Sequence, residues 1–224
     1  MGFVVAIDGP AGSGKGTITK IVSEKRNLVS IDTGAMYRCV ALDCLNNGVG
    51  LEDLEGIEII LEKIQIELKK IDGVQKVFLN GEDVSKEIRE TRVDNVVAKF
   101  AAIKQIRDKV TPMQREMGKT QNIIMEGRDI GTVVFPNADV KIFLDCSVEE
   151  RANRRYKQNL EKGIQMTYEE VLENIKERNR LETERDIAPF VKPEDAITID
   201  STNMSIDEVV EACLKIIDEK LNSK

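Results

Sequence analysis

Apolar positions along the chain fall into two textures. Short, largely apolar runs occur at Phe3–Ile7, Leu28–Ile31, Asn122–Met125, Val140–Leu144 and Ala196–Ile199. Runs of that length read as strands buried on both faces of a parallel sheet. Between them the apolar residues recur at helical spacing. Ile18, Ile21 and Val22 mark a helix over about 17–24, and Met36, Val40 and Leu45 mark another over about 35–45. Strands alternating with helices predict an α/β fold with a five-stranded parallel sheet flanked by helices.

The middle of the chain breaks this rhythm. Ile64, Ile66 and Leu68 alternate with polar residues, Val77–Leu79 follows a turn containing Gly73, and Asn80-Gly81 is itself a turn signal. This pattern predicts a small antiparallel hairpin inserted over about 63–90. A long helix is expected from about 91 to 117, with Pro112 as a point of interruption. Three helix starts read as capping boxes: Ser147 with Glu150, Thr167 with Glu170, and Ser205 with Glu208.

Composition narrows the chemistry. The 224 residues carry 33 Lys+Arg against 40 Asp+Glu, a formal net charge of -7, and no His. The absence of His removes Ser-His-Asp and Cys-His catalysis and every His-ligated metal site. Carboxylates, Lys, Arg, hydroxyls and backbone amides remain. The four cysteines form no C-x-x-C pair and do not resemble a disulfide framework. The first residues lack a basic stretch ahead of their apolar run, and the longest uncharged run, 130–138, falls far short of the ~20 residues a membrane span needs. A cytoplasmic protein with no membrane partner is expected. The acidic balance also argues against a nucleic-acid polymer as partner.

One segment points to phosphate. Gly9-Pro10-Ala11-Gly12-Ser13-Gly14-Lys15-Gly16-Thr17 lies between the first strand and the first helix and matches G-x-x-x-x-G-K. Its glycines let backbone amides converge on an anion at a helix N-terminus, and Lys15 reaches the β- and γ-phosphates. Gly16 stands where many such loops carry Ser or Thr. No metal ligation by a protein side chain is therefore expected, and Mg²⁺ would enter with ATP, held through water and nucleotide. The loop alone does not separate kinases from GTPases or motors. Arg38 and Arg128 each follow a strand's carboxyl end, where α/β sheets bind ligands. Further arginines cluster at 151, 154 and 155 and at 178, 180 and 185. Two anionic substrates brought together need such a concentration of positive charge. If the acceptor is itself a phosphate, no general base is required.

Longer strings carry a resemblance to a known family. Ile31-Asp32-Thr33-Gly34-Ala35-Met36-Tyr37-Arg38 and Gly127-Arg128-Asp129-Ile130-Gly131-Thr132-Val133-Val134-Phe135-Pro136, together with the phosphate loop, Asn80–Ser85 and Lys141–Asp145, resemble bacterial cytidylate kinases from about residue 3 to 220. The resemblance implies a P-loop kinase core, monomeric, that moves a phosphoryl group from ATP to CMP or dCMP. It implies an acceptor-nucleotide subdomain at about 63–100 and a mobile lid at about 151–167. It also assigns residues. Lys15, Arg128, Asp129, Arg154 and Arg155 would be catalytic, the last two as lid or donor-phosphate arginines. Arg38, Arg128 and Arg185 would meet the acceptor phosphate, and Thr33 its binding edge. Arg107 and Asp129 would face cytosine, and Arg178 and Glu182 the ribose. Two positions depart from the family pattern: Ala98 stands where Ser is common, and Glu182 where Asp is favoured. Rival readings are a kinase with another acceptor and a nucleotide-binding module without turnover.

Overall fold

The computed structural model describes residues 2–119, 121–161 and 163–223. In chain order the regular elements are β1 (Val4–Asp8), α1 (Lys15–Arg26), β2 (Val29–Asp32), α2 (Thr33–Asn46), α3 (Leu54–Lys63), β3 (Ile66–Ile71), β4 (Val74–Leu79) and β5 (Glu82–Asp83). They continue with α4 (Thr91–Asp94), α5 (Val97–Phe100), α6 (Lys104–Met117), β6 (Ile123–Gly127), β7 (Val140–Asp145), α7 (Val148–Glu161), α8 (Tyr168–Glu184), β8 (Ile197–Asp200) and α9 (Ile206–Asn222).

The chain divides into two compact units, 1–30 with 117–224, and 31–116. The first is organised by the five-stranded parallel sheet, in the order β2-β6-β1-β7-β8. All five strands lie where the apolar runs place them. β1 is central, pairing in parallel with β6 (Val5 opposite Ile124) and with β7 (Ile7 opposite Ile142). Its five residues are all buried, which is why it reads as continuously apolar. One core joins Val5, Ile7, Ile124, Ile142 and Leu144 of the sheet to Ile18 and Val22 of α1 and to Val209, Val210, Cys213 and Ile217 of α9. Central strands end at their carboxyl edge in the loops that matter below, following Asp8, Gly127 and Asp145.

The second unit holds an antiparallel sheet in the order β3-β4-β5, with Leu68 opposite Val77 and Phe78 opposite Asp83. The expected hairpin is present and gains a short third strand. The unit runs from 31 to 116. It also contains α3, to which the sequence reading gave no element, although Ile57, Ile60 and Leu61 are buried at helical spacing and Asp53 caps its start.

The long helix expected over 91–117 is three helices. The carbonyl of Ala101, which a continuous helix would offer to residue 105, accepts instead from Arg107 Nη1 at 3.0 Å. The last of the three, α6, runs through Pro112 rather than stopping there. Full capping boxes start α8 and α9 as expected. At α7 only half a box forms. Ser147 Oγ accepts from the Glu150 amide at 3.2 Å, while the Glu150 carboxylate turns to Arg154 at 2.9 Å. No described helix is long and apolar enough to cross a membrane.

Candidate functional site

The loop between β1 and α1 is shaped by its glycines. Gly12 and Gly14 take φ of 81° and 91°, in the left-handed region where a side chain is strained. Lys15, the first residue of α1, folds back over the loop. Its Nζ donates to the carbonyls of Gly9 at 2.7 Å and Pro10 at 2.8 Å. Burial pushes the Lys15 ammonium down, Arg128 adds to that, and the carboxylates of Glu126, Glu182 and Asp8 offset part of it, leaving a pKa of about 7. A lysine so depressed is poised to regain full charge beside an anion. At Gly16 an added Cβ would lie 3.3 Å from Glu126 Oε1, so the space that Ser or Thr would fill here is held by a carboxylate.

The arginines after β7 divide by role. Arg151 is buried, with Nη1 donating to the carbonyl of Ala11 at 3.0 Å and Nε to that of Cys146 at 3.1 Å. It braces the phosphate loop from behind. Arg154 donates from Nη2 to the carbonyl of Ser201 at 2.8 Å, and Arg155 lies beside it, half-buried on α7.

The loop after β6 is anchored by a residue that the sequence reading left without a task. Asp8, the last residue of β1, accepts from the amides of Ile130 at 2.8 Å and Gly131 at 2.7 Å. Burial raises its pKa to about 6 despite those two bonds. The signal was present: an acid closing a strand buried on both faces needs donors. These bonds fix the start of a tight π-type turn, Ile130–Val134, which follows buried Asp129 directly.

Arg128 joins a cluster assembled from distant positions. Its Nε donates to Glu182 Oε2 at 2.7 Å, and Arg178 Nε donates to Glu182 Oε1 at 2.9 Å. Burial pushes the Glu182 carboxyl up, but Arg128 and Arg178 more than reverse this and hold it at about 2. Phe190 lies under the Arg128 guanidinium at 6.0 Å, stacks on Phe143 at 5.7 Å, and donates its amide to the Glu182 carbonyl at 2.8 Å. Arg185, at the C-cap of α8, donates from Nε to the Ala188 carbonyl at 2.7 Å.

The second unit carries the remaining candidates. Thr33 is buried at the start of α2, which Asp32 caps by accepting from the Ala35 amide at 3.1 Å. Arg38 donates to the Ile88 carbonyl at 3.0 Å and pairs with Asp94 at 2.5 Å. Arg107 sits over the Tyr37 ring at 5.5 Å, in addition to its bond with Ala101. Each guanidinium is therefore steered by a carbonyl and a second partner. Ala98 lies on α5.

Among the described residues no group of three or more Cys, Asp or Glu is arranged to hold a metal ion. A Mg²⁺ ion accompanying a nucleotide needs less: one or two carboxylates and the phosphates themselves. The Glu126 carboxylate beside Gly16 meets that need. The arrangement in the first unit, a glycine-shaped loop with a buried lysine and an arginine pair bridged by one carboxylate that leaves a net positive charge, is suited to phosphoryl transfer.

Comparison with known proteins agrees. The family model described as cytidylate kinase matches residues 5–219. The chain is 47% identical over 217 residues to the cytidylate kinase of Fusobacterium nucleatum, covering 97% of this chain and 98% of that one. It is 45% identical to the cytidylate kinase of Bacillus subtilis, covering 96% of each. Among solved structures, a sugar kinase from Janibacter sp. matches with a TM-score of 0.51 at 13% identity, over 97% of this chain and 95% of that one. An uncharacterized protein from Eubacterium ventriosum matches with a TM-score of 0.51 at 13% identity, over 96% and 98%. At that identity these two speak to fold alone.

Proposed function

The chain belongs to the cytidylate kinase family and is an ATP-dependent nucleoside monophosphate kinase, and we propose that its own residues perform the transfer to CMP or dCMP without a general base. The acceptor is a phosphate monoester whose second pKa lies at about 6, so its attacking oxygen is already anionic at neutral pH. That oxygen bonds to the γ-phosphorus of ATP as the bond from that phosphorus to the β–γ bridging oxygen breaks. CDP or dCDP and ADP result, and no proton needs to be removed. A chain with no His suits such a reaction.

What remains is alignment and charge, and each candidate residue has a part in it. The backbone amides of Gly9 and of Ala11 through Thr17 (Pro10 has no N–H to give) and the Lys15 ammonium take the donor phosphates, with Arg154 and Arg155 on the same phosphates. Arg38, Arg128 and Arg185 take the acceptor phosphate. Asp129 accepts from the cytosine amino group and Arg107 donates to N3 or O2. Thr33 lies on the acceptor's edge, and Arg178 and Glu182 face its ribose. Glu126 would help hold a Mg²⁺ ion that accompanies the nucleotide, and that ion would neutralise part of the transferring charge. The stretch 151–167 is the lid; at its base Arg151 is tied to the Ala11 carbonyl and Arg154 to the Ser201 carbonyl.

The observation that carries this reading is the depressed, buried Lys15 folded over a glycine-shaped anion nest in a chain with full-length similarity to cytidylate kinases. The test is ADP release by the purified protein with ATP and each common nucleoside monophosphate. CMP and dCMP should dominate. Equal turnover of AMP would refute the cytosine reading, and ATP binding without any acceptor turnover would favour a non-catalytic nucleotide module.

A further inference from the structure

Asp8 closes the central strand and stands immediately before the phosphate loop. Its backbone is held on both sides, opposite Gly127 of β6 and Phe143 of β7. The side chain is buried and points both oxygens one way: Oδ1 accepts from the Ile130 amide at 2.8 Å and Oδ2 from the Gly131 amide at 2.7 Å. The leading amides of a helical turn have no acceptor within the turn itself. Asp8 supplies acceptors for two of them from a different strand, at a π-type turn of the sort that gathers at functional sites.

The consequence falls on Asp129. The peptide joining Asp129 to Ile130 is pinned at both of its ends. Its N–H donates to Asp8, and its carbonyl accepts from the amides of Val133 at 2.9 Å and Val134 at 3.1 Å. The Cα that carries the Asp129 side chain belongs to that peptide plane, so the plane sets where the side chain starts. The fit around the turn is close: a Cβ added at Gly131 would lie 3.3 Å from Asp8 Oδ2 and 2.9 Å from Pro193 Cγ. On the other side of Asp8, the Gly9 carbonyl holds Lys15 Nζ at 2.7 Å. One buried carboxylate thus ties the turn that follows Asp129 to the strand from which the phosphate loop springs. Amide bonds to a carboxylate are about twice as strong as neutral ones, which suits a rigid tie.

We propose that Asp8 is a positioning residue for acceptor choice: by holding the amides of Ile130 and Gly131 it fixes where Asp129 stands, and so sets the preference for a pyrimidine that carries an exocyclic amino group. This rests on the reading above in which Asp129 accepts from the cytosine amino group. Uracil presents a carbonyl oxygen at the same place, which a carboxylate repels. A displaced Asp129 loses its bond to CMP and relaxes its repulsion of UMP. Both changes move the ratio of the two acceptors in one direction.

The test is steady-state kinetics of wild type, Asp8→Asn and Gly131→Ala with CMP and UMP, and calorimetric titration of each with ATP. Asp8→Asn keeps the shape but turns an NH2 group toward one of the two amides, donor against donor. The CMP-to-UMP ratio of kcat/KM should fall by about 10-fold or more, as the loss of a charge-assisted bond implies, while the Kd for ATP stays within about 3-fold of wild type. Gly131→Ala keeps the carboxylate and displaces the second amide. It should lower the same ratio by a smaller factor, and it carries the test should Asp8→Asn not fold. An equal loss of kcat/KM for CMP and UMP would show a merely structural carboxylate and overturn the proposal. So would an unchanged ratio, or a loss of ATP affinity as large as the loss with CMP. Wild-type protein that turns over CMP and UMP equally would instead refute the cytosine reading of Asp129, and with it the positioning role.

Discussion

The phosphate loop and the Arg128–Glu182–Arg178 cluster lie in the same compact unit and both present cationic N–H donors, yet they are built in opposite ways. The loop is nine consecutive residues, Gly9–Thr17, whose geometry is set by two left-handed glycines and one lysine turned back on its own carbonyls. The cluster draws on positions 128, 178, 182 and 190 and exists only after β6, α8 and the segment beyond it have packed. A contiguous site takes its backbone shape from its own residues, even where distant groups such as Arg151 and Arg128 brace or tune it. An assembled site can be retuned by changes that touch neither substrate.

The sharpest way to break this comparison is at Lys15. Removing it as Lys15→Ala takes away the one side chain that the loop aims at transferring charge. Turnover should fall by about 10³-fold, comparable to loss of a principal transition-state donor. Thermal unfolding should change little, because the carbonyls of Gly9 and Pro10 can turn to water. Near-wild-type turnover would mean that the loop is not the donor site.

Phe190→Ala probes the opposite construction. It removes the floor beneath Arg128 without touching any charge. Loss of a cation–π contact worth about 0.5–2 kcal/mol should raise the KM for CMP or lower kcat several-fold, while the KM for ATP stays unchanged. Equal damage to both substrates would erase the distinction between the two regions.

A smaller signal sharpens the donor half. In the free protein Lys15 titrates at about 7, so at pH 8 it is mostly neutral. Donor phosphates favour its charged form and raise its pKa. ATP binding at pH 8 should therefore take up roughly one proton, by linkage. Calorimetry in two buffers of different ionisation enthalpy measures this directly. Proton release, or no exchange, would contradict the depressed lysine.

The same contrast explains what could be read from the sequence. Continuous apolar runs gave all five strands: β1, β6 and β7 because they are buried along most of their length, and β2 and β8, each with a single buried residue, because their short runs still stand out from the helices around them. The loop was equally plain, its lysine and glycines being adjacent. The Arg128–Glu182 pairing was not, because nothing in the string joins the two across 54 positions. The anchoring role of Asp8 was missed for a similar reason: its partners are the backbone amides of residues 130 and 131, which carry no residue-specific signal. Of the two breaks in the helix expected over 91–117, the second coincides with Arg107 taking the Ala101 carbonyl, a competition that helical periodicity does not encode.

The central claim is direct transfer between two phosphates with no protein base and no covalent intermediate. Rapid quench of the protein with CMP and ATP labelled in the γ-phosphate tests it most directly. Label should pass from ATP into CDP, with none on the acid-precipitated protein at any time. The rate should rise only with ionisation of the acceptor phosphate at about pH 6. Label trapped on the protein, or a second ionisation of a basic group required for transfer, would contradict the account.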